Sequence, residues 1–310
     1  MLRPWLIGLM ALGLGAGTAL AQDPSAPPSP DEAPQDPPAV TVDDVVVVGG
    51  ALETLAEDFA TNLAAPARRR GLARWEGRVC LGVVNFRLEV AQSIADRISD
   101  VARGLAVRLS EPGCEPNLLI VGTTDGAGLA ETMVRRYRSE FFRFGFTSSN
   151  RGSAALEAFQ TSDAPVRWWH VSLPVVRRTG RPAIRLPGKR PASNPCRTRS
   201  GSWAGHCDAV TDQLIKMMVI VDIDALEGAN LSQLADYLAL IALAQVEPDA
   251  DYSRFETVLN LFEPNTTVSG LTEWDHIYLR ALYSGRPEHL TVGEQARRMV
   301  PALRDAHSRE

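Results

Sequence analysis

The stretch QLIKMMVIVDIDALEGANLSQLADYLALIALAQVEP, residues 213–248, decides the fold class of this chain. Its first part, residues 213–223, is rich in Ile, Val and Met, which predicts a long central β-strand. After a polar turn, residues 231–248 are almost entirely apolar over the length of a helix, and a helix that is apolar on all sides is buried in a core. A central strand that leads into a buried helix predicts an α/β fold.

Strand and helix patterns alternate along the rest of the chain. Residues 88–106 carry apolar side chains at the three- and four-residue spacing of a core-facing helix, and Thr272 with Asp275 forms a capping box for a helix within residues 270–283. Further strands are predicted at residues 40–50, 77–86, 117–123 and 166–176, and further helices at residues 52–63, about 126–138, 154–159 and 290–308. The whole pattern predicts a single α/β (α+β mixed) domain over residues 41–310, with a mixed sheet flanked by helices.

The N-terminal 21 residues have the layout of a cleavable secretory signal. A single cation, Arg3, precedes an apolar core, and small residues end at Ala21. Residues 22–40 follow as a linker that contains seven of the chain's 21 prolines, and this composition favours an extended, disordered segment. We therefore expect cleavage after Ala21 and a periplasmic or secreted protein with no transmembrane span once the signal is removed.

The four cysteines are Cys80, Cys114, Cys196 and Cys207. An even number of cysteines in an exported chain indicates disulfide bonds. Of the possible pairings, Cys80–Cys114 and Cys196–Cys207 are favoured, because the first pair brackets a strand and helix that can fold back and the second flanks a short loop. The chain has no C-x-x-C spacing and only His206 lies nearby, so no metal site is predicted.

Positive charge is concentrated in one part of a chain whose net charge is −5. Residues 164–206 contain nine Arg or Lys residues and no Asp or Glu. We interpret this segment either as a solvated hairpin or as a docking site for an anionic partner of the cell envelope, and nucleic acid is not expected in that compartment. The candidate binding residues are Trp168, Trp169, Arg177, Arg178, Arg181, Arg185, Lys189 and Arg190.

A run of valines follows the linker in the stretch VTVDDVVVVGG, residues 40–50. β-Branched residues that end at paired glycines predict a strand. The run resembles the short box through which outer-membrane receptors pair with the periplasmic TonB protein, and that resemblance implies strand addition to an exposed sheet edge. An ordinary edge strand is the alternative.

No motif of the chain specifies a reaction. The chain has no G-x-S-x-G elbow, and the glycine turn after residues 117–123 does not have the spacing of a nucleotide-binding motif, so no cofactor and no catalytic residue are predicted. Five polar side chains remain as weak candidates for a site: His170 beside two tryptophans, Asp222 and Asp224 at the end of the central strand, Asp236, and His276 in the first turn of a helix. The two aspartates after the central strand also suit the following turn as caps.

The block from residue 219 to residue 283 carries a family resemblance. VIVDIDALEGANLSQLADYLALIALAQVEPD, TVLNLFE and GLTEWDHIYLRALY resemble uncharacterised secreted proteins of alphaproteobacteria, and the likeness extends to RVCLGVVNF, GCEPNLLIV and VRWWHVSLP. The block is more distantly similar to a zincin-like (metallopeptidase-like) family of unknown function. That family has an H-E-E-x-x-Q helix, an S-I-F-N-D-x-x-E loop, an L-T-x-x-D element and an L-L-Y-D-P-R tail.

The metal-binding helix of that distant family has no equivalent residues in this chain. Its first histidine and glutamate fall near Ala235 and Asp236, and its later polar positions fall on Ala239 or Leu240. One carboxylate cannot hold catalytic zinc, so the resemblance implies a degenerate zincin without peptidase chemistry. We therefore expect an exported non-catalytic protein, a pseudoenzyme, that binds an envelope component or a partner protein. The alternatives are an atypical metallopeptidase-like hydrolase and a partner of the TonB energy-coupling system.

Overall fold

Strands and helices alternate along the chain in the computed structural model, which describes residues 70–141, 151–176, 180–183 and 210–284, the backbone of residues 195–197 and 203–206, and parts of segments 54–67 and 297–301. The strands are β1 (Leu81–Val84), β2 (Leu118–Thr123), β3 (Val166–Val176), β4 (Arg181–Pro182), β5 (Pro195–Arg197), β6 (Trp203–His206) and β7 (Val210–Asp222). The helices are α1 (Leu88–Gly104), α2 (Gly126–Arg136), α3 (Arg138–Phe141), α4 (Ser153–Thr161), α5 (Leu231–Leu243) and α6 (Glu273–Ser284), with 3₁₀ turns at Ile223–Ala225 and Val258–Phe262.

Five strands form one mixed sheet in the order β1-β2-β7-β3-β4. β1, β2 and β7 run parallel, whereas β3 is antiparallel to both β7 and β4. β7 lies at the centre of the sheet and is buried on both faces over its second half, where the sequence provides an uninterrupted run of Met, Val and Ile. The predicted α/β fold, with a mixed sheet flanked by helices, is confirmed.

Helices cover both faces of the sheet, which gives a three-layer arrangement. Met217, Val219 and Val221 belong to the core that β7 shares with α1, α5 and α6. Met218 and Ile220 belong instead to the core beneath α2, α3 and α4. Because successive side chains of a strand point to opposite faces, one apolar strand supplies both cores.

α5 is the buried helix that the apolar run predicts. The Asn230 side chain accepts the Gln233 N–H at 3.0 Å, and the Gln233 side chain accepts the Asn230 N–H at 3.0 Å, which is a reciprocal capping box. Every residue from Leu234 to Leu243 is buried. The helix ends before the apolar run does, since the chain becomes extended at Ala244 and then pairs with residues 63–65.

The predicted disulfide between Cys80 and Cys114 is present, with a Cα–Cα distance of 6.0 Å. It ties the start of β1 to the loop that leads into β2. The second predicted pair, Cys196–Cys207, lies outside the residues whose side chains are described, as do the signal, the linker, the strand at residues 40–50 and nearly all of residues 290–308. Within the described chain, no helix has the length and apolar character needed to cross a membrane.

Candidate functional site

β3 is paired along only part of one of its two edges. On one side it pairs with β7 from Val166 to Val176. On the other side, β4 pairs only with Val175 and Val176. The first half of β3 therefore has an edge to which no strand of the described chain is added.

Alternate residues of this half of β3 turn their main-chain groups away from β7. The Asp222 N–H donates to the Pro165 carbonyl at 2.8 Å, so the main chain of Pro165 faces β7. This orientation alternates along an antiparallel ladder, which places the N–H and C=O groups of Val166, Trp168 and His170 on the outer side. No hydrogen bond among the described residues uses these outward groups. We call this outward main chain of residues 166–170 the free edge.

The same edge is closed further along the strand. The register shifts after Val171, and beyond that point Arg70 Nη1 donates to the Ser172 carbonyl at 2.9 Å. The Ala183 N–H then donates to the Pro174 carbonyl at 2.7 Å. The free edge is therefore a short window of the strand.

A cleft of ≈ 210 Å³ lies beside the first part of the free edge, at residues 166–169, between α4 and the segment 248–263, whereas only ≈ 10 Å³ is open beside His170. Its apolar lining includes Ala155, Ala158, Phe159, Val166, Tyr237, Leu259 and Phe262. Its charged lining consists of Arg151, Arg167, Asp249 and Glu263, so cations and carboxylates are equal in number. The cleft thus combines aromatic walls, unpaired main-chain groups and no net charge.

Trp168 and Trp169 both line the cleft but are fixed on opposite faces of the sheet. The Trp168 indole N–H donates to the Val246 carbonyl at 3.0 Å, and the Trp169 indole N–H donates to the Phe141 carbonyl at 3.1 Å. Trp168 also packs edge-on against Tyr237, with 6.1 Å between ring centroids. Both side chains are buried, so they form the frame of the cleft and do not project from the surface.

The Tyr237 hydroxyl is an unused polar group of the cleft. Tyr237 is 6 % exposed. Its hydroxyl has no hydrogen-bond partner among the described residues, but the oxygen is not fully enclosed by them. Burial, with a smaller contribution from the Glu263 carboxylate, raises the pKa of the Tyr237 hydroxyl. It is therefore a neutral donor or acceptor that a ligand in the cleft can reach.

His170 is buried on the α5 side of β3. Its Nε2 lies 2.9 Å from the Ile241 carbonyl, to which the neutral ring donates. Burial lowers the pKa of His170 to about 4. The hydrogen bond to Ile241 partly opposes this shift, and the nearby charge of Arg151 adds a smaller lowering effect. The ring is therefore uncharged at neutral pH and anchors β3 to α5.

Asp222 and Asp224 lie at the carboxyl edge of the parallel strands. The Asp222 carboxylate accepts the Gly126 N–H at 2.9 Å at the start of α2, and it makes no capping bond in the turn that follows its own strand. The prediction that Asp222 caps its local turn is therefore wrong. The neighbouring strand β2 ends opposite Asp222, so the start of α2, which follows β2, lies within reach of its carboxylate. Asp224 is exposed.

Asp236 in α5 and His276 in α6 do not line the cleft. The Asp236 carboxylate pairs with Arg97 of α1 and accepts the Leu271 N–H at 3.1 Å, so it joins three segments. His276 is half-buried in the first turn of α6. No hydrogen bond or ion pair joins any two of the five polar candidates.

Arg167 belongs to the sequence's basic segment but is not a surface cation. It is 4 % exposed, and its guanidinium donates to the Ser162 carbonyl. A Cβ atom added to Gly126 would lie only 1.7 Å from Arg167 Nη1. The guanidinium therefore fits because Gly126 has no side chain. Burial lowers the pKa of the Arg167 guanidinium, and the carboxylates of Asp222 and Asp125 oppose that effect.

The other predicted cationic contacts are largely outside the described chain. Arg181 is exposed on β4. Those whose placement is not described are Arg177, Arg178, Arg185, Lys189 and Arg190.

Sequence patterns did not reveal the cleft, because its walls come from β3, α4, α5 and the 3₁₀ turn after Thr257. In the parts of the chain that the structure describes, no group of three or more His, Cys, Asp or Glu side chains is arranged to hold a metal ion. Comparisons with protein-family models, curated proteins and solved structures found no match. The geometry of the cleft is therefore the best guide to function.

Proposed function

We propose that this chain is an exported, non-catalytic binding protein that holds an extended segment of a partner polypeptide in the cleft beside β3. The observation that carries the proposal is the free edge within an aromatic cleft. An extended peptide can bond its own main chain to such an edge while alternate side chains enter the space beside it. Main-chain bonds supply affinity in this mode, and the cleft supplies selectivity.

The dimensions and charge of the cleft define the ligand. Its volume of ≈ 210 Å³ is small and suits a few small side chains better than large ones. Balanced charges around the lining disfavour a strongly charged ligand. The preferred segment is therefore uncharged, extended and rich in small β-branched residues such as Val and Thr.

Export is part of the proposal, because the N-terminal signal pattern and the disulfide between Cys80 and Cys114 both suit an oxidising compartment. The partner is then a protein of the cell envelope. The resemblance to a zincin-like family fits a non-catalytic role. At the helix positions where that family carries its metal-binding motif, this chain has the buried residues Ala235 and Ala239. Binding is also favoured over hydrolysis, because no hydrogen bond or ion pair joins any two of the five polar candidates.

Filling the cleft tests the proposal. The probe is an acetylated and amidated Thr-Val-Thr-Val-Thr-Val peptide, titrated by calorimetry against the native chain and two variants. Ala158→Phe places a ring in the cleft, whereas Glu157→Phe places the same ring at an exposed position on a different face of that helix. We expect Ala158→Phe to weaken binding by about tenfold or more, equivalent to about 1.4 kcal/mol, and Glu157→Phe to leave it unchanged.

Two results would count against the proposal. One is the absence of measurable peptide binding by the native chain. The other is equal binding by both phenylalanine variants, provided that their circular dichroism matches that of the native chain.

A further inference from the structure

We infer that the Tyr237 hydroxyl selects the partner segment, because it favours a serine or threonine at the position that faces it in the cleft. The inference rests on the proposed binding of an extended segment beside β3. It assigns a specificity-determining residue to that site, and it narrows the ligand to a strand that carries hydroxyl groups on one of its two faces.

The cleft has two walls, one on each face of the sheet. Tyr237 and Leu259 belong to the core on the α5 side, and Phe159 belongs to the core on the α4 side. A strand added beside Val166 and Trp168 continues the sheet, so its side chains alternate between these two walls. Each wall therefore contacts one alternate set of side chains.

The polar groups of the α4 wall are engaged within the chain. The Arg167 guanidinium donates to the Ser162 carbonyl, and the Ser162 hydroxyl oxygen accepts the Ala164 N–H at 3.1 Å. Arg167 Nη1 has no hydrogen-bond partner among the described residues, but it is fully enclosed, so a ligand does not reach it. Ala158 and Phe159 also line this wall, which therefore suits an apolar side chain.

The α5 wall carries an open hydroxyl. The Tyr237 ring makes edge-to-face contacts with Trp168 and Phe262, with 6.1 and 5.1 Å between ring centroids. Its hydroxyl has no hydrogen-bond partner among the described residues and is not fully enclosed by them. By contrast, the hydroxyl of Tyr252, which also lines the cleft, donates to the Glu247 carbonyl. Tyr237 is therefore the tyrosine of the cleft whose hydroxyl is available to a ligand.

A small neutral hydroxyl group is the best complement to Tyr237. An Ala or Val side chain packed against the Tyr237 oxygen excludes water from it and leaves it unpaired, which costs binding free energy. A Ser or Thr hydroxyl both donates and accepts, so it restores the lost bond within a space of ≈ 210 Å³. A carboxylate is disfavoured, because the Glu263 carboxylate lies close enough to act electrostatically on the Tyr237 hydroxyl.

The two walls together specify an alternating pattern in the ligand. The side chains that face α5 carry hydroxyl groups, and those that face α4 are small and apolar. The partner segment is therefore an amphipathic strand in which Ser or Thr alternates with residues such as Val or Ala.

Two peptides that differ only in their hydroxyl groups test the inference. Acetylated and amidated Ser-Val-Ser-Val-Ser-Val and Ala-Val-Ala-Val-Ala-Val are each titrated by calorimetry against the native chain. We expect the serine peptide to bind about fivefold more tightly, equivalent to about 1 kcal/mol, because it gains one hydrogen bond in the cleft. Equal affinities of the two peptides would overturn the inference, and this comparison needs no variant protein.

The variant Tyr237→Phe assigns the preference to one atom. It removes the hydroxyl and keeps the ring, and we expect it to lose the fivefold preference for serine. Any intrinsic difference between the two peptides is the same for both proteins, so the comparison isolates the contact with the hydroxyl. A serine preference that persists in Tyr237→Phe would refute the inference.

Tyr252→Phe is the matched control. It removes the same atom from another tyrosine of the cleft, but this hydroxyl is already bonded to the Glu247 carbonyl. We expect the control variant to keep the fivefold preference for serine. Loss of the preference in both variants would contradict its assignment to Tyr237.

The outcomes separate this inference from the proposed function. If the serine and alanine peptides bind the native chain equally well, the inference is refuted and the proposed function stands. If neither of them binds and the Thr-Val peptide does not bind either, the proposed function fails and the inference fails with it.

Discussion

His170 is expected to make the stability of this protein depend on pH. Its pKa falls from the ordinary value of 6.5 to about 4 on folding, mainly because the ring is buried. The unfolded chain therefore takes up a proton as the pH falls through 6.5, whereas the folded chain takes it up only near pH 4. Stability from this residue is complete above pH 6.5 and is lost as the pH falls from 6.5 to 4.

The size of this loss follows from the two pKa values. A difference of about 2.5 between them, at about 1.36 kcal/mol for each, gives about 3 kcal/mol. The replacement His170→Gln removes the titrating ring and keeps a side-chain N–H that can donate to the Ile241 carbonyl. Burial raises the pKa of both Asp275 and Glu247, which gives an opposite pH dependence, but both groups are present in both proteins and cancel in the comparison.

Urea unfolding followed by tryptophan fluorescence measures this effect at several pH values between about 7.5 and 4.5. We expect the native chain to lose about 2.5 kcal/mol more unfolding free energy across that range than His170→Gln does, since the last part of the loss falls below pH 4.5. Parallel pH profiles for the two proteins, within about 1 kcal/mol, would refute the burial of a neutral imidazole between β3 and α5.

Three further substitutions test the packing of the domain. Tyr278→Phe removes a buried hydroxyl that has no hydrogen-bond partner among the described residues, so we expect a gain of about 1 kcal/mol in unfolding free energy, and a loss would contradict this assignment. Asp212→Ala leaves Arg70, to which Asp212 is bonded at 2.7 Å, as a buried charge, and a loss of about 3–5 kcal/mol is expected by urea unfolding. Replacement of both Cys80 and Cys114 by Ala opens a link across a sequence separation of 34 and is expected to cost about 4 kcal/mol by urea unfolding.

Strong local patterns were sufficient to predict the sheet and the central strand. The bounds predicted for β3 match the structure, because β-branched and aromatic residues over residues 166–176 specify a strand without reference to its partners. α1 begins at the predicted residue 88 and ends two residues before the predicted bound of 106, and its apolar residues repeat at helical spacing and pack under the sheet. The capping box at Thr272 and Asp275 is also present, with N–H to side-chain distances of 3.0 and 3.2 Å.

Relationships between distant residues could not be predicted in the same way. Trp168 and Trp169 are adjacent in the chain yet belong to different cores, and Arg167 is buried only because Gly126, from another strand–helix unit, leaves space for it. Asp222 caps α2 because β2 and β7 are neighbours in the sheet. The cleft has the same origin, since its walls meet only once the sheet order is established.

Binding of N-methylated peptides tests the central claim most directly. Methylation of alternate residues of the Thr-Val peptide removes N–H donors from one edge of an extended strand and leaves those of the other edge intact. The account predicts that methylation of one alternate set abolishes binding to the native chain, whereas methylation of the other set leaves the affinity within about threefold of the unmodified peptide. Equal binding of both methylated peptides would contradict strand addition at the free edge of β3.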